Sequence, residues 1–155
     1  MWNRFVNKPS TLRRLLNVWP PFVGAGISVR RISDDWREAD VRLALRWYNQ
    51  NYVGIAFGGS VYAMADPFYM LLLSHLLGRE YRVLDAAATV RFIKPGVGHV
   101  YAFFRIDDET LEAIRAATAN GDKHLAKLKV DVVDEDGELV AQVDKTVYAR
   151  RRRNK

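Results

Sequence analysis

One stretch of the chain, residues 51–77, most constrains what the protein can fold into. It reads NYVGIAFGGSVYAMADPFYMLLLSHLL, in which two adjacent glycines precede an almost unbroken apolar run that carries one acid, Asp66. A helix over residues 60–77 would be about 27 Å long, and a helix that is apolar on every side has to be buried in protein or in lipid. Asp66 and Pro67 at mid-span disfavour the bilayer. We therefore predict a sheet wrapped around a buried central helix.

The composition indicates one globular domain over residues 1–155, with an N-terminal helical extension (1–26) and a basic tail (150–155). Hydrophobic residues make up 49% of the chain and charged residues 27%, a balance typical of folded proteins. The absence of cysteine excludes disulfides, thiolate catalysis and cysteine-ligated zinc. The three histidines are isolated in sequence and lack metal-ligand spacing, so no metal is predicted. The first ten residues contain no signal-peptide core, and a cytoplasmic location is expected.

The formal charge of +6 comes mostly from the C-terminal tail. Residues 150–155 read RRRRNK and hold five of the 24 basic residues, which leaves 19 basic against 18 acidic residues elsewhere. Such a tail is either a solvated end or an attractor of phosphate, from a nucleotide or from nucleic acid. Nucleic acid and membrane are not expected partners; if either bound, deleting residues 150–155 would abolish a salt-sensitive affinity.

The remaining elements follow from hydrophobic periodicity and from turn residues. A helix capped by Ser10 is expected to dock its apolar side on the domain and to stop at Pro20 and Pro21, and another helix begins near Asp107 and ends at residue 119. Strands are predicted at 27–32, 39–47, 82–94, 99–106, 125–133 and 139–149. Strands in hairpin pairs around one helix make an α+β domain with a mainly antiparallel sheet, whose exposed edges favour pairing with a second copy.

The candidate chemistry centres on Asp66. A carboxylate in apolar surroundings is costly unless it is paired or used, so it either bonds a neighbouring strand or takes part in a reaction. Gly58 and Gly59 begin the helix and offer free backbone N–H groups without side chains in the way, and Asn51 offers an amide that can orient water. An acid, an oxyanion donor and a positioning amide are the parts of an acyl-transfer hydrolase.

The spacing of Gly59 and Asp66 indicates that one chain is not enough. Seven residues of helix separate them by about 10 Å along the axis, whereas a reacting carbonyl has to lie about 3 Å from its oxyanion donor and close to the attacking group. Two helices that run antiparallel across a twofold axis can place Gly59 of one copy opposite Asp66 of the other. A site shared between two copies is therefore predicted.

The segment that carries Asn51, Gly54, the Phe57-Gly58-Gly59 corner and Asp66 resembles the active-site segment of hot-dog-fold acyl-CoA thioesterases. The runs VRFIKPGVGHVYAFFRI and VDVVDEDGELVAQVDKTVYA resemble that family's proline corner and final hairpin. The likeness covers residues 39–149, and the N-terminal helix resembles the tetrameric acyl-CoA thioesterase-like branch. It implies that Asp66 is the nucleophile or general base, that the Gly59 N–H binds the thioester carbonyl, and that Asn51 orients water.

One departure is Phe57, which stands where this family often has histidine, and which points to an apolar or aromatic acyl group or to slower catalysis. Further substrate-binding candidates are Gly58, Tyr62, Phe68, Tyr69 and Lys94, with core packing as the alternative for the aromatic ones. The resemblance implies hydrolysis of acyl-CoA or a related thioester by a dimer or dimer of dimers, with no cofactor apart from the coenzyme A of the substrate. The alternative is a non-catalytic acyl-thioester binding module of the same fold.

Overall fold

The structure is a computed structural model that describes residues 7–152. This part of the chain forms five helices and six strands, in the order α1-α2-β1-β2-α3-α4-β3-β4-α5-β5-β6. The helices are α1 (Pro9–Val18), α2 (Pro20–Ala25), α3 (Gly58–Ala65), α4 (Phe68–Leu77) and α5 (Asp108–Ala117). The strands are β1 (Ile27–Ile32), β2 (Glu38–Leu43), β3 (Tyr81–Phe92), β4 (Val100–Arg105), β5 (Lys123–Asp134) and β6 (Leu139–Arg151).

The strands form a single antiparallel sheet in the order β1-β2-β4-β5-β6-β3, which confirms the α+β class. The hairpin predicted between β3 and β4 is wrong, because β3 lies beside β6 at the far edge. After β3 the chain stays attached to the start of β6, where the N–H groups of Ile93 and Lys94 both donate to the Val140 carbonyl. The loop through Pro95 then crosses to the opposite side of the β5–β6 hairpin.

The central helix is buried as predicted, but it is two helices rather than one continuous helix over 60–77. Pro67 has no N–H to donate, and its ring clashes with the carbonyl four residues earlier, so α3 ends before Asp66 and α4 begins after Pro67. Met64, Ala65 and Leu73 are completely buried against the sheet. Gly78 ends α4 with φ of +82°, as its position in the sequence predicted. Among residues 7–152, no helix combines the length and the apolar character that crossing a bilayer requires.

The N-terminal helix α1 docks on the domain through Leu12 and Leu16, each 5% exposed. Its start differs from the prediction, since the helix begins at Pro9 after Lys8, with Ser10 inside the first turn rather than at the cap. Pro20 does stop α1, yet it also occupies the first turn of α2, a place that suits its fixed φ. Residues 1–6 of the predicted extension lie outside the described residues.

The two edge strands of the sheet, β1 and β3, differ in the partners that their outer sides have. At the β1 edge, the Asn17 side chain of α1 donates Nδ2–H to the Val29 carbonyl at 3.1 Å and accepts the Val29 N–H at 2.7 Å. The twelve-residue edge strand β3 pairs only with β6 among the described residues, and most of its side chains from Leu84 onward are exposed. A long open edge of this kind is suited to pairing with another strand.

Two strand boundaries also differ from the sequence-based ones. β2 ends at Leu43 instead of continuing to residue 47, because the Ala44 N–H bonds the Gly26 carbonyl and the chain then turns. β6 extends into the predicted basic tail, where Arg150 donates Nε–H to the Gly121 carbonyl at 2.8 Å. The last three residues of the tail, 153–155, lie outside the described residues.

Candidate active site

The glycine corner lies at the N-terminus of α3. Phe57 is the N-cap in an extended conformation, and its carbonyl accepts the N–H groups of Ser60 and Val61. Within residues 7–152 the N–H groups of Gly58 and Gly59 donate to no protein acceptor, and Gly59 is exposed. Free N–H groups at the positive end of a helix dipole attract a negatively charged oxygen, so this corner has the chemistry of an oxyanion site.

Two phenyl rings flank the glycine corner. A Cβ added at Gly59 would lie 2.6 Å from the Phe57 ring, and one added at Gly58 would lie 3.0 Å from the Phe92 ring. Both rings remain more than half exposed, at 54% for Phe57 and 60% for Phe92. The corner is therefore a small polar site with apolar walls, and the sequence did not indicate Phe92 because it lies on β3, far along the chain.

Asp66 lies at the other end of α3, at the break before α4. Its Oδ1 accepts the Tyr62 hydroxyl at 2.6 Å and lies 3.0 Å from the Lys145 ammonium nitrogen on β6. Burial, followed by the bond to Asp66 and its charge, raises the pKa of Tyr62, so the phenol stays a neutral donor. The bond to a neighbouring strand is the structural alternative foreseen for this acid, but the side chain keeps 45% of its surface exposed.

Lys145 is the charged residue of this site that the sequence analysis missed. Its side chain is completely buried, and Nζ also lies 3.0 Å from Asp85 Oδ1 on β3. Burial works to lower the pKa of Lys145, but the two carboxylates outweigh it and hold the pKa above its usual value. Burial also raises the pKa of Asp85, and the bond from Lys145 only partly offsets this. Strand alternation could have revealed Lys145, because it shares the inward parity of Val143 and Val147.

Asn51 lies in the loop before α3, where its side chain is used to shape the backbone. Its Oδ1 accepts the N–H groups of Val53 at 3.0 Å and Ile55 at 3.2 Å. The Asn51 N–H also bonds the Ile55 carbonyl at 2.8 Å. The side-chain oxygen is thus engaged, and only the amide N–H groups remain to orient a water or a ligand.

Phe68 and Tyr69, two of the substrate-binding candidates, lie in the core. Phe68 is 1% exposed and packs between the rings of Phe22 and Phe104. Tyr69 is 4% exposed and donates its hydroxyl to the Lys129 carbonyl at 2.6 Å, and burial, followed by the charge of Asp131, raises its pKa to about 12. The packing alternative thus describes both aromatic residues.

Lys94 is paired with carboxylates of the β5–β6 turn, with Asp134 at 2.6 Å and with Glu138. The bonds to these two carboxylates raise its pKa. The charge of Lys94 is therefore already neutralised by carboxylates and is not free to bind a phosphate group.

An open groove of about 320 Å³ lies along β3, β6 and β5, and it contains neither the glycine corner nor Asp66. Lys145 is among the residues that line it, together with Thr89, Lys127 and Thr146, whose side chains register places on the face opposite to the Lys145 side chain. In the described residues no three histidine, aspartate or glutamate side chains cluster closely enough to hold a metal ion.

The geometry joins Asp66 to Tyr62, Lys145 and Asp85, but it leaves Gly59 at the opposite end of α3. At the rise of an α-helix, the seven residues from Gly59 to Asp66 correspond to about 10 Å along the axis. Within one chain, the oxyanion donor and the carboxylate do not converge on one reacting carbon.

The architecture of a curved antiparallel sheet around a central helix is shared with solved structures. A protein of unknown function from Pseudomonas aeruginosa, described as a probable thioesterase, matches with TM-score 0.81 and 21% identity over 93% of this chain and 97% of that chain. A thioesterase from Haemophilus influenzae matches with TM-score 0.66 and 14% identity over 94% and 92%. A mutant of the phenylacetic acid degradation protein PaaI from Thermus thermophilus matches with TM-score 0.59 and 26% identity over 84% and 98%.

These likenesses show that the chain has the hot-dog fold, which confirms the resemblance at the level of the fold. The family described as Domain of unknown function (DUF4442) matches residues 10–149, and the chain belongs to it. Among curated proteins, no sequence matches the chain significantly.

Proposed function

We propose that the protein is a thioesterase that hydrolyses acyl-CoA, or a related acyl thioester, to the free acid and the thiol. One observation carries the proposal: α3 presents at its first turn two glycine N–H groups that have no acceptor among residues 7–152, and at its end a half-exposed carboxylate, Asp66. The thioesterase-like fold and the descriptions of its structural neighbours support the reaction class.

In the proposed site, α3 of a second copy lies antiparallel to the first, so that Gly59 of one copy faces Asp66 of the other. The open edge of β3 supports this arrangement, because continuing the sheet into a second copy satisfies its unpaired backbone groups. The assembly is a dimer or a dimer of dimers. Phe57 and Phe92, exposed in the single chain, become walls for an apolar acyl group.

The reaction uses the free oxygen of Asp66. Its Oδ1 already accepts two donors, whereas Oδ2 accepts none among residues 7–152. Acting as a base, Oδ2 takes a proton from water as the water oxygen attacks the thioester carbonyl, and the Gly59 N–H stabilises the oxyanion. The C–S bond then breaks, and the proton on Asp66 passes to the departing thiolate. Acting instead as a nucleophile, Oδ2 forms a mixed anhydride as the C–S bond breaks and the thiolate leaves. Water then hydrolyses the anhydride, which frees the acid and Asp66 and supplies the proton that the thiolate takes up.

Asn51 contributes to the proposal through its amide N–H groups, which can orient the attacking water, while its oxygen holds the loop. Lys94 is already paired with carboxylates, so the proposal assigns no coenzyme A phosphate to it. Phe68 and Tyr69 are core residues and are not assigned to the acyl site.

The direct test is thiol release from a panel of acyl-CoAs with short, long, branched and aromatic acyl groups, measured with a thiol reagent. Saturable release from at least one of them is expected, and release that never exceeds background contradicts the proposal.

The second candidate is a binding module that holds acyl thioesters without cleaving them. It is favoured by one observation, namely that Tyr62 and Lys145 engage Asp66 as they would a purely structural carboxylate. Calorimetric binding of an acyl-CoA that is recovered intact after hours with the protein would identify this candidate.

A further inference from the structure

Lys145 joins carboxylates from two separate elements in the interior. Its ammonium group lies 3.0 Å from Asp66 at the end of α3 and 3.0 Å from Asp85 on β3, and its side chain exposes no surface. The Tyr62 ring lies alongside, with its centroid 5.5 Å from Nζ. These four side chains, the aspartate cluster, connect the kinked central helix to both strands at the open edge of the sheet.

Stability alone does not account for a lysine at this position. The inward-facing neighbours on β6, Val143 and Val147, are fully buried, and an apolar side chain would continue their row without the cost of desolvating a charge. Buried ion pairs are often no more stabilising than apolar residues of similar volume. A lysine adds orientation, because the N–H groups of its ammonium form directional bonds that hold particular carboxylate oxygens in fixed positions.

The two donors on Asp66 both reach the same oxygen. Tyr62 approaches Oδ1 from one turn earlier on α3, and Lys145 approaches it from β6. Two bonds from different elements fix the rotation of the carboxyl group and keep Oδ2 turned away from the cluster. Asp85 holds the Lys145 ammonium from the other side.

We infer that Lys145 is a positioning residue, which fixes the Asp66 carboxylate so that a single oxygen, Oδ2, faces the acyl thioester. This inference rests on the proposed function, in which Asp66 reacts. Lys145 itself touches neither substrate nor attacking water and acts only through Asp66.

The test uses the double variant Lys145→Met/Asp85→Asn. It removes one positive and one negative charge, so the cluster keeps its net charge of −1. Asp66 loses its cation but keeps the Tyr62 hydroxyl as a donor, and 45% of its side chain is exposed to water. The matched control is Lys129→Met, the same substitution at an exposed position of the adjacent strand β5. If Lys145 positions Asp66, the double variant stays folded, kcat for the best acyl-CoA falls by about tenfold or more, and KM changes by less than about twofold. Lys129→Met keeps both constants.

If the double variant turns over at the normal rate, Lys145 merely neutralises Asp85 and the inference is overturned. A second measurement needs neither activity nor a stable variant. Three-bond NMR couplings across the Cα–Cβ bond of Asp66 in the unaltered protein report one χ1 rotamer if the side chain is held, and averaged values overturn the inference. In a folded double variant the couplings are expected to move toward averaging.

These couplings separate failure of the inference from failure of the proposed function. A protein that cleaves no thioester but holds Asp66 in one rotamer retains the positioning contact and loses the enzymatic role. A protein that cleaves thioesters with Asp66 freely rotating, or with normal kcat in the double variant, keeps its function and loses the role assigned to Lys145.

Discussion

The indole of Trp36 stacks on the imidazole of His75, with ring centroids 3.5 Å apart and planes inclined by 7°. Trp36 lies in the turn between β1 and β2 with φ of +61°, a left-handed conformation that costs a non-glycine residue about 1 kcal/mol. The contact ties this turn to the last helical turn of α4, where His75 lies. A strained backbone is thus held in place by a half-buried aromatic pair.

The burial of His75 in this contact makes the stability of the folded protein sensitive to mild acid. Burial lowers the pKa of His75, so the folded state prefers the neutral ring, and its contribution to stability is present above pH about 6.5 and is lost as the pH falls through the lower folded-state pKa. We expect His75→Phe, which keeps a ring for Trp36, to lose less Tm than the unaltered protein between pH 7.5 and 5.5. Scanning calorimetry at both pH values measures this difference, and equal losses in the two proteins would refute the assignment.

The Asp66→Asn variant should fold and lose turnover. Asparagine has nearly the same size, and Lys145 retains Asp85 as a partner, but an amide neither accepts a proton from water nor attacks a carbonyl. A fall in kcat of about 10² or more is expected. Asp144→Asn is the matched control, since Asp144 lies on the same strand as Lys145, faces the other side of the sheet and pairs with Arg91. Near-normal turnover by folded Asp66→Asn would make the carboxylate structural.

The shared site predicts complementation between two inactive chains. Asp66→Ala lacks the carboxylate, and Gly59→Pro lacks the oxyanion donor. The first turn of a helix accepts proline, and the Phe57 ring, which would lie 2.6 Å from the new Cβ, is 54% exposed and has room to turn away. A hybrid dimer rebuilds one complete site from the unaltered Gly59 of one chain and the unaltered Asp66 of the other. Mixed chains carrying different tags, purified as hybrids, should recover part of the activity. Hybrids of verified composition that stay inactive would count against a site made by two chains.

Gly26 should be far less tolerant of alanine than Gly137, although both have positive φ. Its φ is +73°, and an added Cβ would lie 2.2 Å from Asn49 Nδ2 and 2.8 Å from the Ala44 carbonyl oxygen. Backbone strain and overpacking together should lower the free energy of unfolding by at least about 2 kcal/mol. Gly137→Ala, with φ of +81° and open space around the Cβ, isolates the strain and should cost about 1 kcal/mol. Urea denaturation compares the two, and similar losses would contradict the clash.

Local patterns were sufficient for most of the elements. β1 matches its predicted residues 27–32, and α4 ends at Gly78, because alternation and helix-stop residues act over a few positions. Asp66 could also be singled out from the sequence, since burying a carboxylate between long apolar runs costs free energy unless the group is paired or takes part in a reaction. The break at Pro67 is also a local feature, but the sequence analysis predicted one helix over residues 60–77 and not the division at this proline.

The order of the strands was not a local property. β3 and β4 follow each other along the chain, and the sequence predicted a hairpin, yet two strands, β5 and β6, separate β3 from β4 in the sheet. The position of β3 depends on where its partner β6 lies, which is decided when the whole sheet assembles. The open edge that supports the shared site follows from that assembly.

The sequence by itself therefore determined the class of fold and the positions of the glycine corner and of Asp66, the acid to which we assign the proposed reaction. Only the tertiary structure brought Lys145 to Asp66, 79 positions away, and left Phe92 against Gly58. The physical reason is one of range: backbone preferences and periodic burial are set by near neighbours, whereas the partner of a buried charge is set by strand register and by the way the central helix crosses the sheet.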